Sequence, residues 1–448
     1  MAAVDPALAG FLGSLEDPGA LPGAARLAVI QQTLEILACL FAGAAIPEMT
    51  PVLRAYTRGG EKTFVPAANV YSEPALAAGS MAALAHAAEL DPIHAASIIC
   101  PAAVTIPAAL ALAQSTPITG TRFIAAVCGG YEAAIRLGRA LDGAILLSRG
   151  WWPTAVCGSF AAAATTAICM GLTGERLQDA LGLAAVHSGG LAIGGPTAPV
   201  ARNLLCAHTV RVGVDAALAA QAGVAGPREL FVGGRDFLTA FATGAHPAAI
   251  TAGLGASWAI LETSLKRWPC ALQAQSALDA LASLAERRPT GAELDIVEIS
   301  LPAPMQRIVD RPGTPATRWA AAASLQFLAA SLLLDGAITD WRMESGRSEP
   351  RVAALMRRIQ VRADPTLDNR YPREWPARVT LKDASGESTM ECSLPSGHPA
   401  RPLPMQFSEA RFQHYTAGRL AADKVERAIE FALTLERQPD VGFLVKLL

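Results

Sequence analysis

Residues 86–104 read HAAELDPIHAASIICPAAV. His86, Glu89, Asp91, His94 and Cys100 fall close together there, ahead of an apolar run. Imidazole titrates near neutrality and a carboxylate beside it can orient it, so such a stretch can move protons. Asp91 and His94 are therefore candidate catalytic groups. The bland reading stands beside this one. Asp91-Pro92 is also the signature of a solvated turn, a lone histidine is more often structural, and His86 suits packing. Cys100 among apolar residues suits an inert buried thiol. Other chemistry is not visible. No Ser/His/Asp order or P-loop is present, and GGYEAA (129–134) fails the G-x-G-x-x-G pattern. The eight cysteines stand singly with no C-x-x-C, so no clustered metal ligands are expected.

The elements that must hold these residues read in two styles. Up to about residue 265 the chain is Ala- and Leu-rich, with apolar residues at helical spacing, as in AARLAVIQQTLEILACLFAG and ERLQDALGLAAVHSGGLA. Gly and Pro punctuate it, including a turn at Gly194-Gly195-Pro196. Past Lys266 the style changes. LDIVEISLP (294–302), ALMRRIQVRAD and ARVTLKD alternate like strands. CALQAQSALDALASLAERR and TRWAAAASLQFLAASLLLDG between them read as two helices. FSEARFQHYTAGRL and KVERAIEFALTLER are helical again and too short to fold alone. The expected architecture is mainly α: a large all-helical domain from residues 1–265 and 405–448, and a smaller α/β lid domain over 266–404.

Composition narrows the partners. The chain has 448 residues, is 52% hydrophobic and only 17% charged, and carries a net charge of −2. Without a basic stripe, nucleic-acid binding is excluded as an expectation. The apolar runs Ile98–Ala113 and Phe160–Leu172 are too short or too proline-broken to span a bilayer and read as buried core helices. The N-terminus has no basic n-region, so a cytoplasmic, non-membrane protein with reduced thiols is expected. High apolar content without a span points to a buried subunit interface.

Several motifs in order resemble the MmgE/PrpD family, which includes 2-methylcitrate dehydratase and cis-aconitate decarboxylase. TLEILACLFAG (33–43) is similar to its first long helix, with Glu35 where Asp is usual. HAAELD (86–91) resembles its H-A-x-D-F-D-D-T loop, and GGYEAAIRLG (129–138) its G-Y-E-x-x-x-R-x-G helix. GWWPTAVCGSFAAAA (150–164) resembles G-F-H-P-T-x-x-x-G-x-x-x-A-A-A, and KRWPCALQAQSALDA (266–280) resembles K-P-Y-P-C. RPGTPATRWAAAASLQFLAASLLLDG (311–336) and PSGHPARPLP (395–404) complete the set. The resemblance implies a homodimer acting on small polycarboxylates without metal or organic cofactor, with an active site in a cleft between the two domains.

Carried over residue by residue, the resemblance marks substitutions. The acid of the loop is Glu89 and its D-D pair is Asp91-Pro92. The Thr position is Ile93, and the histidine before proline is Cys100. The G-F-H-P histidine is Trp152. The family's lysine and its neighbouring histidine fall near Arg202 and Leu205, the histidine after K-P-Y-P-C is Gln275, and a tyrosine falls near Ile308. Lys266 stands unchanged. The resemblance thus implies Asp91 and Lys266 as catalytic groups and Trp152, Arg202, Glu89, Cys100 and Gln275 as substrate-binding groups; His94, which has no counterpart in the pattern, is a catalytic candidate from the residues alone. Trp and Ile transfer no protons near neutrality, so the pocket is expected to be drier than a methylcitrate site. The expected function is a lyase- or isomerase-type enzyme of specialised metabolism. It would dehydrate, decarboxylate or cyclise a small-to-medium, relatively apolar or polyketide-like acid. The alternative is a catalytically inactive paralogue serving as a binding partner.

Overall fold

The computed structural model describes residues 4–15, 18–57, 62–193, 200–231, 236–287, 295–384 and 386–448. The turn expected at Gly194-Gly195-Pro196 lies outside them. The chain divides into two compact units. One takes residues 1–194, 200–264 and 404–448, and the other takes 265–403.

The first unit is built around the Pro153–Cys169 helix, every residue of which is buried. A helix buried all round needs an apolar surface on every face, and PTAVCGSFAAAATTAIC supplies it. Its small side chains let neighbouring backbones come close. The Gly120–Leu141 and Ala201–Ala222 helices both pack on it. On the latter, a Cβ at Gly213 would stand 2.5 Å from the carbonyl oxygen of Ser159. The Pro74–Ala87 helix packs on Ala201–Ala222, on the wholly buried Ala102–Leu112 helix and on Gly23–Ala44. Gly23–Ala44 is the one described helix long and apolar enough to cross a membrane, and 78% of its apolar window is buried. The C-terminal helix Met405–Thr416 lies along it, where Arg411 forms a buried ion pair with Glu35. Arg419 donates to the carbonyl of Phe41 at 2.7 Å. The unit is mainly α-helical, as expected, and carries one small addition among its described residues. Strands β1 (Thr63–Val65) and β2 (Val70–Ser72) pair antiparallel in a short hairpin. Three-residue strands are too short to show alternation in sequence.

In the second unit, β3 (Ile296–Leu301), β4 (Ile359–Ala363), β5 (Ala377–Asp383) and β6 (Gly386–Cys392) form one sheet in the order β4-β3-β5-β6. β3 runs parallel to β4 and antiparallel to β5. Its residues alternate buried and half-buried, as IVEISL reads. The Leu272–Ala285 helix packs over β5 and β6. Two details depart from the sequence reading. β6, GESTMEC, carries no apolar alternation because it is an edge strand with a mostly exposed face. The single helix expected over TRWAAAASLQFLAASLLLDG is two, Arg318–Ala322 and Leu325–Asp335. Ser324 interrupts it, its hydroxyl accepting from Phe327 N at 3.2 Å as an N-cap.

Two motifs act together in this unit. Asp279 is 2% exposed. It accepts from Trp268 Nε1 at 3.1 Å, from Ser396 N at 2.6 Å and from Arg401 at 3.2 Å. KRWPC and PSGHPAR are thus tied to one carboxylate, as a buried charge requires.

In the first unit, the turn at residues 94–99 lies against the Gly120–Leu141 helix and the start of Gly143–Ser148. A Cβ at Gly143 would stand 2.2 Å from the carbonyl oxygen of Ser97, and one at Gly138 2.5 Å from Ile99 Cδ1. Backbone cannot rotate away as a side chain can, so Gly143→Ala is expected to cost about 1–3 kcal/mol. Gly10→Ala, with nothing within 4 Å of the added methyl, is expected to be neutral or to stabilise by about 0.5–1 kcal/mol. Denaturant unfolding of the two variants measures the contrast, and an unaffected Gly143→Ala would refute the close approach.

Candidate active site

The site begins where the Pro74–Ala87 helix ends. His86 lies in its last turn. Glu89 follows in the left-handed region at φ 56°, which reverses the chain. The reversal brings Asp91 back to His86, whose Nδ1 lies 2.7 Å from Asp91 Oδ2. Asp91 is 0% exposed and His86 3%. A buried carboxylate is costly unless a donor meets it, and the imidazole N–H supplies one. With Nδ1–H so engaged, the lone pair of the ring is on Nε2. That nitrogen is buried and has no hydrogen-bond partner among the described residues.

A second reversal follows. His94 and Ile99 form an antiparallel bridge, with His94 N donating to Ile99 O at 2.8 Å and Ile98 left-handed at φ 55°. The chain returns with Cys100, whose N–H donates to Thr154 Oγ1 at 3.2 Å. A ring nitrogen of His86, a carboxylate oxygen of Asp91 and the Cys100 sulfur all lie within 4.8 Å of one another. The sequence reading saw no metal-ligand cluster. Three side chains are in fact brought together, because two backbone reversals fold residues 86–100 on themselves.

Trp152, which N-caps the Pro153–Cys169 helix, is 6% exposed and tethered by its N–H to Gly190 O at 2.9 Å. Its ring lies 5.2 Å from that of His86. The Arg202 guanidinium lies 5.9 Å from the Trp152 ring and forms an ion pair with Glu89. The Glu89 charge holds the guanidinium above its ordinary value. Glu89, Asp91, Cys100, Trp152 and Arg202 thus share one neighbourhood, and His86, read from sequence as packing, lies at its centre. The signal that could have found it is the histidine five residues before an acid, across a helix end. Nearby groups are silent as acids or bases: burial pushes the Tyr131 hydroxyl and the Cys206 thiol well up.

His94 stands apart from this group. Its Nδ1 accepts from Ser97 N at 3.2 Å, and its Nε2 lies 3.7 Å from Glu262, which pairs with Arg139. Those contacts hold the 94–99 turn. Lys266 and Gln275 belong to the second unit. Lys266 is 2% exposed. The Gln275 side chain accepts from Trp268 N at 3.0 Å and donates to Trp268 O at 2.8 Å. Its amide braces the KRWPC turn.

Comparison with known proteins follows this geometry. The family model for the MmgE/PrpD N-terminal domain matches residues 8–250, and that for the MmgE/PrpD C-terminal domain matches 268–437. A cis-aconitate decarboxylase-like protein, oryM of Aspergillus oryzae, is 32% identical over 225 residues, 47% of this chain and 46% of the relative. Cis-aconitate decarboxylase of Aspergillus terreus is 30% identical over 274 residues, 57% of this chain and 55% of the relative. The Homo sapiens cis-aconitate decarboxylase is 27% identical over 361 residues, 78% and 74%. The match therefore spans about half the length of the two fungal relatives.

Burial holds the His94 imidazole below its ordinary 6.5. The unfolded chain then binds the proton more readily than the folded one. The stability is full above about pH 6.5 and falls as the pH drops below it. His94 and Arg139 push the Glu262 carboxyl down to about 2, so it stays ionised through that window. Urea midpoints at about pH 7.5 and about pH 5 are expected to differ in the wild type and to converge in His94→Gln. An equal drop in the variant would remove His94 as the cause.

Proposed function

We propose, from the premise that this chain belongs to the MmgE/PrpD family, that it is a dehydratase- or decarboxylase-type lyase acting on a small-to-medium, relatively apolar organic acid. The observation that carries this reading is the His86–Asp91 pair, with Nδ1 held at 2.7 Å and Nε2 left without a partner. In a dehydration, Nε2 takes the proton from the carbon beside a carboxyl. The C–H electron pair becomes the double bond, and hydroxide leaves with a proton from a second donor. In a decarboxylation, the bond from carbon to the carboxylate breaks, CO2 departs, and an imidazolium already loaded with a solvent proton gives that proton to the carbon that keeps the pair, then is reprotonated from solvent. Asp91 serves both by holding the tautomer and stabilising the imidazolium.

Arg202 is the group suited to a substrate carboxylate, and Glu89 positions it. Trp152 places an indole where relatives resembling the motif carry histidine, which favours an alkyl-substituted or polyketide-like acid of specialised metabolism over a tricarboxylate. Cyclisation by shape and desolvation is compatible with such a wall. We take the assembly to be a homodimer that needs no metal or organic cofactor. A buried ring nitrogen without a partner costs about 1–3 kcal/mol, which an inert scaffold would avoid with an apolar side chain.

The test is an NMR survey of carboxylic acids in D2O with the full chain, including cis-aconitate and 2-methylcitrate. Turnover or α-proton exchange is expected for an alkyl-substituted acid, with a loss of about 10²–10⁴-fold in His86→Gln and in Asp91→Asn. Turnover of cis-aconitate at about 1–10³ per second would overturn the apolar preference. Binding of acids without turnover or exchange of any would favour the inactive partner protein.

A further inference from the structure

We infer that His86, Asp91 and Cys100 also form a site for one zinc-class divalent ion, whose binding silences His86. The three donors are an imidazole, a carboxylate and a thiol, each under 6% exposed and all within 4.8 Å of one another. Tetrahedral zinc holds its ligands at about 2.0–2.3 Å, hence roughly 3.4–3.7 Å from each other. The cluster needs shifts of about 1 Å to reach that geometry, and the backbone is already placed. His86 ends a helix, Asp91 sits in the turn after it, and Cys100 is anchored by its N–H on Thr154 at 3.2 Å. A second observation points to a ligand: the buried Nε2 of His86 has no partner.

The donor set selects the ion. One thiolate, one imidazole and one carboxylate suit Zn2+ or Co2+ rather than Mg2+ or Ca2+, which prefer oxygen alone. Charge also balances. Zn2+ with an Asp91 carboxylate and a Cys100 thiolate sums to zero, and Arg202 beside them is neutralised by its Glu89 partner. As the metal–sulfur bond forms, the thiol proton leaves to solvent. If Nδ1 takes the ion, its proton leaves too and Asp91 no longer orients the ring. If Nε2 takes it, the lone pair of the base is consumed. Three protein ligands leave the fourth position to water. The silencing rests on the reading of His86 as a base; the binding does not.

The experiment is a Co2+ titration of the metal-free full chain, followed by thiolate-to-cobalt charge-transfer absorption in the near ultraviolet. Equilibrium dialysis against ZnCl2 with metal quantitation runs beside it. One ion per chain and a charge-transfer band are expected. Cys100→Ser is expected to lose the band and at least about tenfold in affinity, a loss no smaller than outer-shell changes cause. Cys392→Ser, at a half-buried thiol elsewhere, should keep both. His86→Gln supplies a second variant if Cys100→Ser fails to fold. No band in the wild type, or an undiminished band in Cys100→Ser, overturns the site. Because neither readout needs turnover, the result is independent of whether the chain is a lyase.

Discussion

The site depends on how closely the turn at residues 94–99 can approach the helices beneath it. Ser97 sits where Gly138 and Gly143 have no Cβ, with its backbone against the start of Gly143–Ser148. That approach sets where the chain emerges at Cys100, and hence how far the sulfur lies from His86 and Asp91. The Gly120–Leu141 helix is held in turn by its own charges. Glu132 and Arg136 pair at 2.6 Å, Arg136 donates to Ala252 O at 2.6 Å, and Glu132 accepts from Ala259 N at 2.6 Å. The motif G-Y-E-x-x-x-R-x-G is therefore scaffold. Its ion pair fixes a helix, and its last glycine admits the turn.

A buried carboxylate and a buried imidazole solve each other's desolvation. Asp91 alone, at 0% exposure, would be a buried carboxylate without a donor, which is costly. Beside Nδ1–H it accepts a charge-assisted bond, and in return it fixes which ring nitrogen keeps the lone pair. The left-handed Glu89 that brings them together is a backbone state costing of order 1–3 kcal/mol for a side-chain-bearing residue. Its carboxylate then meets Arg202, which links the strained turn to the Ala201–Ala222 helix. The six residues 86–91 hold the left-handed turn, both members of the dyad and the acid of the ion pair.

Much of this was legible in sequence because it rests on local periodicity. The buried helices, the change of style near Lys266, the β3 alternation and the return of the C-terminal helices all follow from spacing. What was not legible depends on tertiary partners. The break at Ser324 is a capping choice inside an apolar run. β6 is defined by its pairing with β5 rather than by its own pattern. His94 and His86 are both single histidines near acids, and only the backbone reversals decide that His86 meets Asp91 and His94 meets Glu262. Gln275 stood at a resembling histidine position, yet its amide is committed to the Trp268 backbone.

Under the proposed function, lost histidines need not mean lost proton chemistry. Proton transfer requires a lone pair near neutral pKa, a partner that holds it, and exclusion of bulk water. None of these demands a given position in the motif. At two positions where the resembling pattern would put histidines this chain has Trp152 and Cys100, while the histidine that opens HAAELD is kept and pairs with Asp91. Trp152 then supplies the exclusion, its ring 5.2 Å from the imidazole, and Thr154 directly after the Pro153 turn holds Cys100. A thiol placed beside a His–carboxylate pair adds one further property. Soft metal ions compete with the proton for the same atoms, so the three donors that would serve the proposed acid–base step are the ones a soft cation would take.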